Sequence, residues 1–211
     1  MSRSIIELEM RLSEHRAWRV KEISSVKKLA ELKDRSVVEK EFFCRAGAAL
    51  FYAHWEGFVK RACEEYLKYI SYQKLEFDQM ADFVASNIIY TKIKNNNNRE
   101  CSDSIVKLIF EDIKSKPYLD PKNLIDTESN LSSRVFTKTM KVIGIPISGF
   151  ETKLKAIDSI LGSRNPIAHG AKGDVDVPRL AEIGDLVIGL TGSLKDEIEN
   201  AAQSKIYRRA P

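Results

Sequence analysis

The chain has 211 residues, of which 43% are hydrophobic and 30% charged, with a formal net charge of +4; these values are ordinary for one globular domain with its own core. The mildly basic charge permits a polyanionic partner without requiring one. Acidic residues interrupt the apolar residues of segment 1–12, and no run approaches the roughly 20 apolar residues that cross a bilayer, so we expect a cytoplasmic protein with no signal peptide and no membrane anchor.

Helical periodicity dominates the first third of the chain, and strand patterns are few. Apolar residues at three- and four-residue spacings predict an amphipathic helix over 3–33. A break follows at 34–36, where Ser36 and Glu39 have the spacing of a capping box. The next helix is predicted over 37–72, because no proline interrupts that stretch.

The helix over 37–72 is apolar on two opposite faces when its residues are placed at 100° intervals. The first face consists of Cys44, Ala48, Phe51, Trp55, Phe58, Val59, Ala62 and Tyr66. The second consists of Phe42, Phe43, Ala46, Ala49, Leu50, Ala53 and Gly57. A helix of this kind is buried on both sides, so we expect it at the centre of the fold. The small residues of the second face allow a close helical neighbour, and a second subunit is one candidate.

Shorter helices follow in the rest of the chain. Their predicted ranges are 78–94, 100–114, 131–142 and 150–161, and a last long helix is predicted over 178–206. Ser129 or Asn130 caps the third of these, and Gly144 closes it. The polar run at 95–98 predicts a loop, and prolines end the helix before residue 117. The predicted fold class is all-α, a helical bundle with two or three long helices plus shorter ones.

The segment 163–170, SRNPIAHG, interrupts the helical pattern with a proline. Pro166 lacks an N–H and crowds the carbonyl of Gly162, so the preceding helix is predicted to stop at Gly162. Asn165 then caps a new turn whose first residue is Pro166. The pattern predicts a helix junction at this place.

Two side chains of this segment have functional groups that are suited to catalysis. Arg164 is expected just outside the new turn, and His169 one turn inside it. An imidazole titrates near pH 6.5 and can take or give a proton. A guanidinium can bind two oxygens of one phosphoryl group. The spacing alone leaves two interpretations open, a polar helix junction and an active site.

Two more polar residues, His54 and Glu56, flank the apolar faces of the central helix. One interpretation is purely structural, because Glu56 can pair with Lys60 one turn further on. However, a buried polar group without a partner costs about 1–3 kcal/mol. The residues of segment 163–170 are one candidate for the partners that these two side chains need.

The cysteines and histidines predict neither a metal site nor a cofactor. His15, His54 and His169 are far apart in the sequence, and His15 lies in a charged helix that predicts a surface position. The three cysteines, Cys44, Cys63 and Cys101, lack the spacing of zinc ligands and are typical of inert thiols in a reducing compartment. No glycine-rich phosphate loop and no nucleophile elbow is present.

Several segments together resemble the HEPN (higher eukaryotes and prokaryotes nucleotide-binding) superfamily, in particular its RiboL-PSP-HEPN or MAE-type branch. Arg164 and His169 match the Arg-x(4–6)-His signature of that superfamily. The segments FYAHWEGFVK at 51–60 and DTESNLSS at 126–133 occur in similar order and spacing. Pro166 departs from the branch, which often has a helix-compatible residue there.

The resemblance covers most of the chain and predicts a single HEPN-like domain over 1–211. It is weakest at about 74–125, which we interpret as a less typical helical insert. It implies an all-α protein that forms a homodimer and cleaves RNA without a metal ion. In the superfamily, the signatures of two chains meet in one composite active site. Such proteins often act as toxins in toxin–antitoxin or phage-defence systems, so an antitoxin protein is an expected partner.

The resemblance also implies roles for individual residues. His169 is the expected general acid/base, Arg164 stabilises the transition state, and Asn165 orients the phosphate or caps the turn. Glu56 and His54 are expected to position Arg164 or His169.

Contacts with the RNA backbone are expected from Lys172, Lys205, Arg208 and Arg209, although solvated surface charge is the simpler explanation of each. An alternative stays open, in which the chain is a non-catalytic HEPN module that binds RNA or nucleotides or mediates protein interaction. Arg164 and His169 would then bind phosphates or pack the dimer.

Overall fold

The fold is all-α, as the sequence predicts. A computed structural model describes residues 3–95, 99–121 and 124–210, which form seven α-helices and no β-strand. The helices are α1 (Ile5–Ala30), α2 (Val37–Tyr72), α3 (Asp82–Asn95), α4 (Arg99–Phe110), α5 (Ser133–Val142), α6 (Leu154–Ala168) and α7 (Val177–Gln203). Two 3₁₀ segments, Phe77–Gln79 and Ile147–Lys153, precede α3 and α6.

The three long helices α1, α2 and α7 form the body of the bundle, with α2 in contact with both of the others and with α6. Helix α1 runs antiparallel to α2, because Glu22 lies beside His54 and Arg11 beside Glu65. Helix α7 runs parallel to α2: Leu180 packs at Gly47, and the rings of Tyr69 and Tyr207 are 5.8 Å apart. The approach at Gly47 is close, since a Cβ there would lie 2.8 Å from Leu180 Cδ1 and that side chain would have to shift.

Helix α2 has the bounds predicted from the sequence. The amide of Glu39 donates to Ser36 Oγ over 3.3 Å, and the amide of Ser36 donates to Glu39 Oε2 over 2.8 Å. This reciprocal pair confirms the predicted capping box, which satisfies two of the amides that the first turn leaves without partners.

The two apolar faces of α2 differ in burial. All eight residues of the first predicted face are buried in the core. The second face is open to solvent over much of its length: Ala46 and Ala53 are exposed, and Phe42 has 58% of its surface exposed. The prediction that both faces are buried is therefore wrong for a single chain, because the other described helices cover the second face only in part.

The ends of the shorter helices differ from their predictions by a few residues. Ser132, rather than Ser129 or Asn130, caps α5, since its side chain accepts from the amide of Val135. Gly144 closes α5 with φ +68°, as predicted. Asn95 ends α3. The rest of the loop predicted at 95–98 lies outside the described residues.

Helices α3 and α4, within the segment 74–125, contact each other, and α3 also contacts α5. The C-terminal tail returns to the start of this segment, where the amide of Arg209 donates to the carbonyl of Gln79 over 2.9 Å. Across the parts of the chain that the structure describes, no helix is long and apolar enough to span a bilayer.

Candidate functional site at the end of helix α6

The SRNPIAHG segment forms the last turns of α6, and the helix continues through Gly162 and Pro166 to Ala168. The prediction that the helix stops at Gly162, with Asn165 as the cap of a new turn, is therefore wrong. A proline inside a helix removes one backbone hydrogen bond. Pro166 lies only two residues before the helix end, so the missing hydrogen bond belongs to the last turn of α6.

A Schellman motif ends α6 and fixes the position of His169. Gly170 has φ +77°, and its amide donates to Ile167 over 3.1 Å, while the amide of Ala171 donates to Pro166 over 2.8 Å. This pair of hydrogen bonds, with glycine in the left-handed conformation, is a common helix terminus. His169 is the C-terminal cap residue, and its side chain is exposed to solvent.

Arg164 is half-buried and rests on the ring of Tyr52, with its Cζ 4.7 Å from the ring centroid. Its Nη1 donates to Asn165 Oδ1 over 3.1 Å and, more weakly, to Asn130 Oδ1 over 3.4 Å. Both acceptors are neutral amides. No carboxylate of the described chain lies within ion-pair distance of Arg164, so no ion pair neutralises its positive charge.

The nearest carboxylate of α2 makes other contacts. Glu56 Oε1 accepts from Thr127 Oγ1 over 2.6 Å, and Glu56 also accepts a hydrogen bond from the Tyr52 hydroxyl. The hydroxyl of Tyr52 itself accepts from the amide of Leu131 over 2.7 Å. Burial, together with the charge and hydrogen bond of Glu56, raises the pKa of Tyr52 to about 12. Tyr52 is therefore a neutral hydrogen-bond bridge between Glu56 and Leu131.

The profile of the RiboL-PSP-HEPN family matches residues 14–200, from the first half of α1 almost to the end of α7. The chain belongs to this family. No curated protein and no solved structure matches it significantly. HEPN proteins are often nucleases, so membership indicates a nuclease or RNA-related role.

His54 of this HEPN chain lies away from the motif. The residue is 3% exposed, its Nε2 is 2.9 Å from Glu22 Oε2 of α1, and its ring centroid is 5.1 Å from that of Trp18. Burial lowers the pKa of His54, and the charge of Glu22 opposes that effect. The prediction that His54 positions Arg164 or His169 is therefore wrong, because the polar partner that it needs comes from α1.

Lys172 lies just beyond the HEPN motif. Its Nζ is 3.4 Å from Glu41, at the edge of a surface groove of about 530 Å³ between the start of α2 and the loop before α7. The groove is lined by three cationic side chains and three carboxylates, namely Lys40, Arg45, Lys172, Glu41, Asp174 and Asp176. Because these charges cancel, the groove by itself does not favour a polyanion.

The other three predicted RNA contacts of the HEPN chain, Lys205, Arg208 and Arg209, lie beyond the far end of α7. That helix has 27 residues and is about 40 Å long. Arg209 pairs there with Asp82 over 3.0 Å. The structure does not bring these three residues to the motif of the same chain.

Three residues of the site make contacts that the sequence does not predict: Tyr52, Thr127 and Asn130. Tyr52 and Thr127 lie in segments that resemble the family, but their contacts join residues 71 to 79 positions apart. The sequence predicts only a helix-capping role for Asn130. No local pattern reports such long-range contacts.

The cysteines of the HEPN chain are free and buried where the structure describes them, at Cys44 and Cys63. Burial raises the pKa of both thiols. The side chain of Cys101 lies outside the described residues. Among the residues described, no group of three His, Cys, Asp or Glu side chains is arranged to hold a metal ion.

Proposed function

We propose that this HEPN protein is a metal-independent endoribonuclease. The 2′-hydroxyl of one nucleotide would attack the neighbouring phosphorus, and the bond to the 5′-oxygen of the next nucleotide would break. The observation that supports this reaction best is the uncompensated guanidinium of Arg164, held on Tyr52 by neutral acceptors only and five residues from the exposed His169.

Arg164 suits the charge that develops in this reaction. Negative charge accumulates on the non-bridging oxygens of the phosphorus in the transition state, and a planar guanidinium can bind two of them. Removing one well-placed donor of this kind costs about 10²–10³-fold in rate. An arginine already paired with a carboxylate would lose much of this effect, whereas amide acceptors leave the full charge available to a phosphate.

His169 supplies the proton transfer. The reaction needs one group to take the 2′-hydroxyl proton and another to protonate the leaving 5′-oxygen, and each transfer contributes about 10²–10⁴-fold. The exposed His169 can reach a ligand, whereas the buried His54 is held beside Glu22. One chain therefore offers one suitable imidazole at the motif, and a second chain would offer the other.

The open face of α2 gives that second chain a place to pack. Ala49 and Ala53 lie about 60° and 100° around α2 from Tyr52, at 100° per residue, so this face borders the cluster that holds Arg164. Small side chains permit a close crossing, and exposed Phe42 supplies apolar area. A two-fold axis through this face would pair the patch with itself and bring two motifs together. We propose this homodimer with a composite active site.

A chimeric oligonucleotide tests the reaction. The substrate is a DNA strand with a single ribonucleotide, incubated with the protein in EDTA, with an all-DNA strand as the matched control. Cleavage only after the ribonucleotide, with a 2′,3′-cyclic or 3′-phosphate end, is expected. His169→Ala should abolish it while the helical circular dichroism signal is unchanged.

Cleavage of the all-DNA strand, or full activity of His169→Ala, would contradict the proposal. Salt-sensitive RNA binding without any cleavage would instead identify the non-catalytic binding module.

The cellular role that we propose is that of a toxin in a toxin–antitoxin or phage-defence system, neutralised by an antitoxin protein. Expression of the wild-type chain should arrest bacterial growth, and expression of His169→Ala at the same level should not. Equal growth of the two strains at equal protein level would contradict this role.

A further inference from the structure

We infer that residues 127–131, which we name the positioning loop, hold the guanidinium of Arg164 in the direction that phosphate binding requires. Asn130 is the positioning residue that touches it. This inference rests on the proposed function and adds to it a set of residues that act on the RNA only through Arg164.

The positioning loop contacts both α2 and α6 within five residues. Thr127 Oγ1 donates to Glu56 Oε1 over 2.6 Å, and the amide of Leu131 donates to the Tyr52 hydroxyl over 2.7 Å. Between these two contacts, Asn130 Oδ1 accepts from Arg164 Nη1 over 3.4 Å. The same loop therefore fixes the ring beneath the guanidinium and one edge of the guanidinium itself.

The backbone of the loop is strained in a way that makes these contacts possible. Glu128 and Ser129 have φ of 52° and 53°, the left-handed conformation that non-glycine residues rarely adopt. This pair reverses the chain, and the amide of Asn130 donates back to the carbonyl of Thr127 over 2.9 Å. Both Thr127 and Asn130 can then reach the helices from one side.

Contacts outside the site stabilise the strained turn. The carboxylate of Glu128 accepts hydrogen bonds from Arg134 over 3.1 Å and from Lys138 over 3.0 Å. The backbone amide of Glu128 donates to Asp126 Oδ1 over 2.8 Å. Strained backbone persists only where the surroundings determine it, and it is found most often at functional sites. The strain here coincides with the loop that contacts Arg164.

The arrangement leaves a defined part of Arg164 free. Tyr52 fixes the plane of the guanidinium, and Asn130 and Asn165 both occupy Nη1. Nε and Nη2 donate to no acceptor of the described chain. These two atoms form the edge of a guanidinium that binds two phosphate oxygens at once. This edge is therefore available to two phosphate oxygens, while Thr127 of the positioning loop holds the Glu56 carboxylate in a hydrogen bond of its own.

Two variants of Asn130 distinguish the alignment of the Arg164 guanidinium from the neutralisation of its charge. Asn130→Ala removes the acceptor without adding charge, and we expect kcat to fall about 10-fold while KM changes less than about 3-fold, because the lost alignment matters most in the transition state. Asn130→Asp keeps the shape but gives Arg164 a carboxylate partner, and a larger loss of kcat is expected. The melting temperature should change little in both, which separates positioning from a merely structural role.

The matched control is Asn200→Asp, which makes the same charge change at an exposed position near the far end of α7. Its kcat should equal that of the wild type. A wild-type kcat in Asn130→Asp, with RNA cleavage otherwise as proposed, would overturn the positioning inference and leave the proposed function standing.

A binding measurement tests the inference even if the wild type does not cleave RNA. The probe is a 2′-O-methyl oligonucleotide, which cannot react, titrated over a series of salt concentrations. Asn130→Asp should weaken binding about 10-fold, because Arg164 no longer neutralises a phosphate. For the same reason, the magnitude of the slope of log K against log salt should fall by about one, which is the contribution of one phosphate contact. An unchanged affinity and slope would overturn the inference whatever the activity is.

Discussion

Two polar residues of α2 that are only two positions apart, Tyr52 and His54, have different kinds of partners. His54 faces α1, is almost fully buried, and has the carboxylate of Glu22 beside it. Tyr52 faces α6 and supports Arg164, which has amide partners but no carboxylate within the described chain. A buried polar group with a partner of its own is structural. A cation that the fold holds but does not neutralise can bind an anion from outside.

The largest expected effect is on catalysis, at Arg164. We expect Arg164→Ala to lower kcat/KM for RNA by about 10²–10³-fold, because the transition state loses its cationic partner. Its melting temperature should stay near that of the wild type. Arg61→Ala is the matched control, since Arg61 is 59% exposed and its one ion pair among the described residues is with Glu64. Equal loss in the two variants would remove the distinction between the two regions.

The next effect is on stability, at His54. His54→Ala removes a buried ring that contacts Trp18 and the partner of Glu22. We expect the free energy of unfolding to fall by about 2 kcal/mol, a typical loss for a buried side chain with such contacts. Denaturant unfolding measures it. RNA cleavage by the folded fraction should be unchanged, and a selective loss of kcat at full stability would place His54 in the site after all.

The pH dependence of stability should also report on His54. Burial and the charge of Arg19 lower the pKa of His54 below its ordinary value of 6.5, while Glu22 opposes the shift. The unfolded chain therefore binds more protons than the folded chain just below pH 6.5, so stability is full above that pH and falls on acidification. His54→Gln should make this fall shallower. Since burial also lowers the pKa of His15, His15→Asn serves as a parallel variant. An unchanged pH profile in His54→Gln would contradict the assignment.

The smallest effect is expected at Lys172, which is 80% exposed and pairs with the half-exposed Glu41. Exposed ion pairs contribute at most about 1 kcal/mol and often nothing measurable. Lys172→Ala should change the free energy of unfolding by less than about 0.5 kcal/mol. A much larger change would show that the loop before α7 depends on this pair.

Local signals in the sequence predicted much of the fold. The bounds of α2 follow from Ser36, Glu39 and the absence of proline, and all of these act within one helix. The error at α6 is also local in origin. Pro166 taken alone favours a break, whereas Gly170 favours a helix that continues to Ala168 and ends in a Schellman motif.

The candidate site was only partly accessible from the sequence. The chemistry of Arg164 and His169 is visible in the residue types themselves. The partner of His54 depends on how α1 packs against α2, and the contact of Asn130 with Arg164 joins residues 34 positions apart. A sequence pattern can indicate that a polar residue needs a partner, but only the packing decides which residue fills that role.

The proline in α6 has a consequence for motion. Pro166 has no N–H to donate to the carbonyl of Gly162, so one backbone hydrogen bond of the helix is missing between the turn of Arg164 and the turn of His169. The last turn can then open by breaking only the few bonds around Gly170 while the remainder of α6 stays wound. Such opening would move His169, while Arg164 stays on the ring of Tyr52.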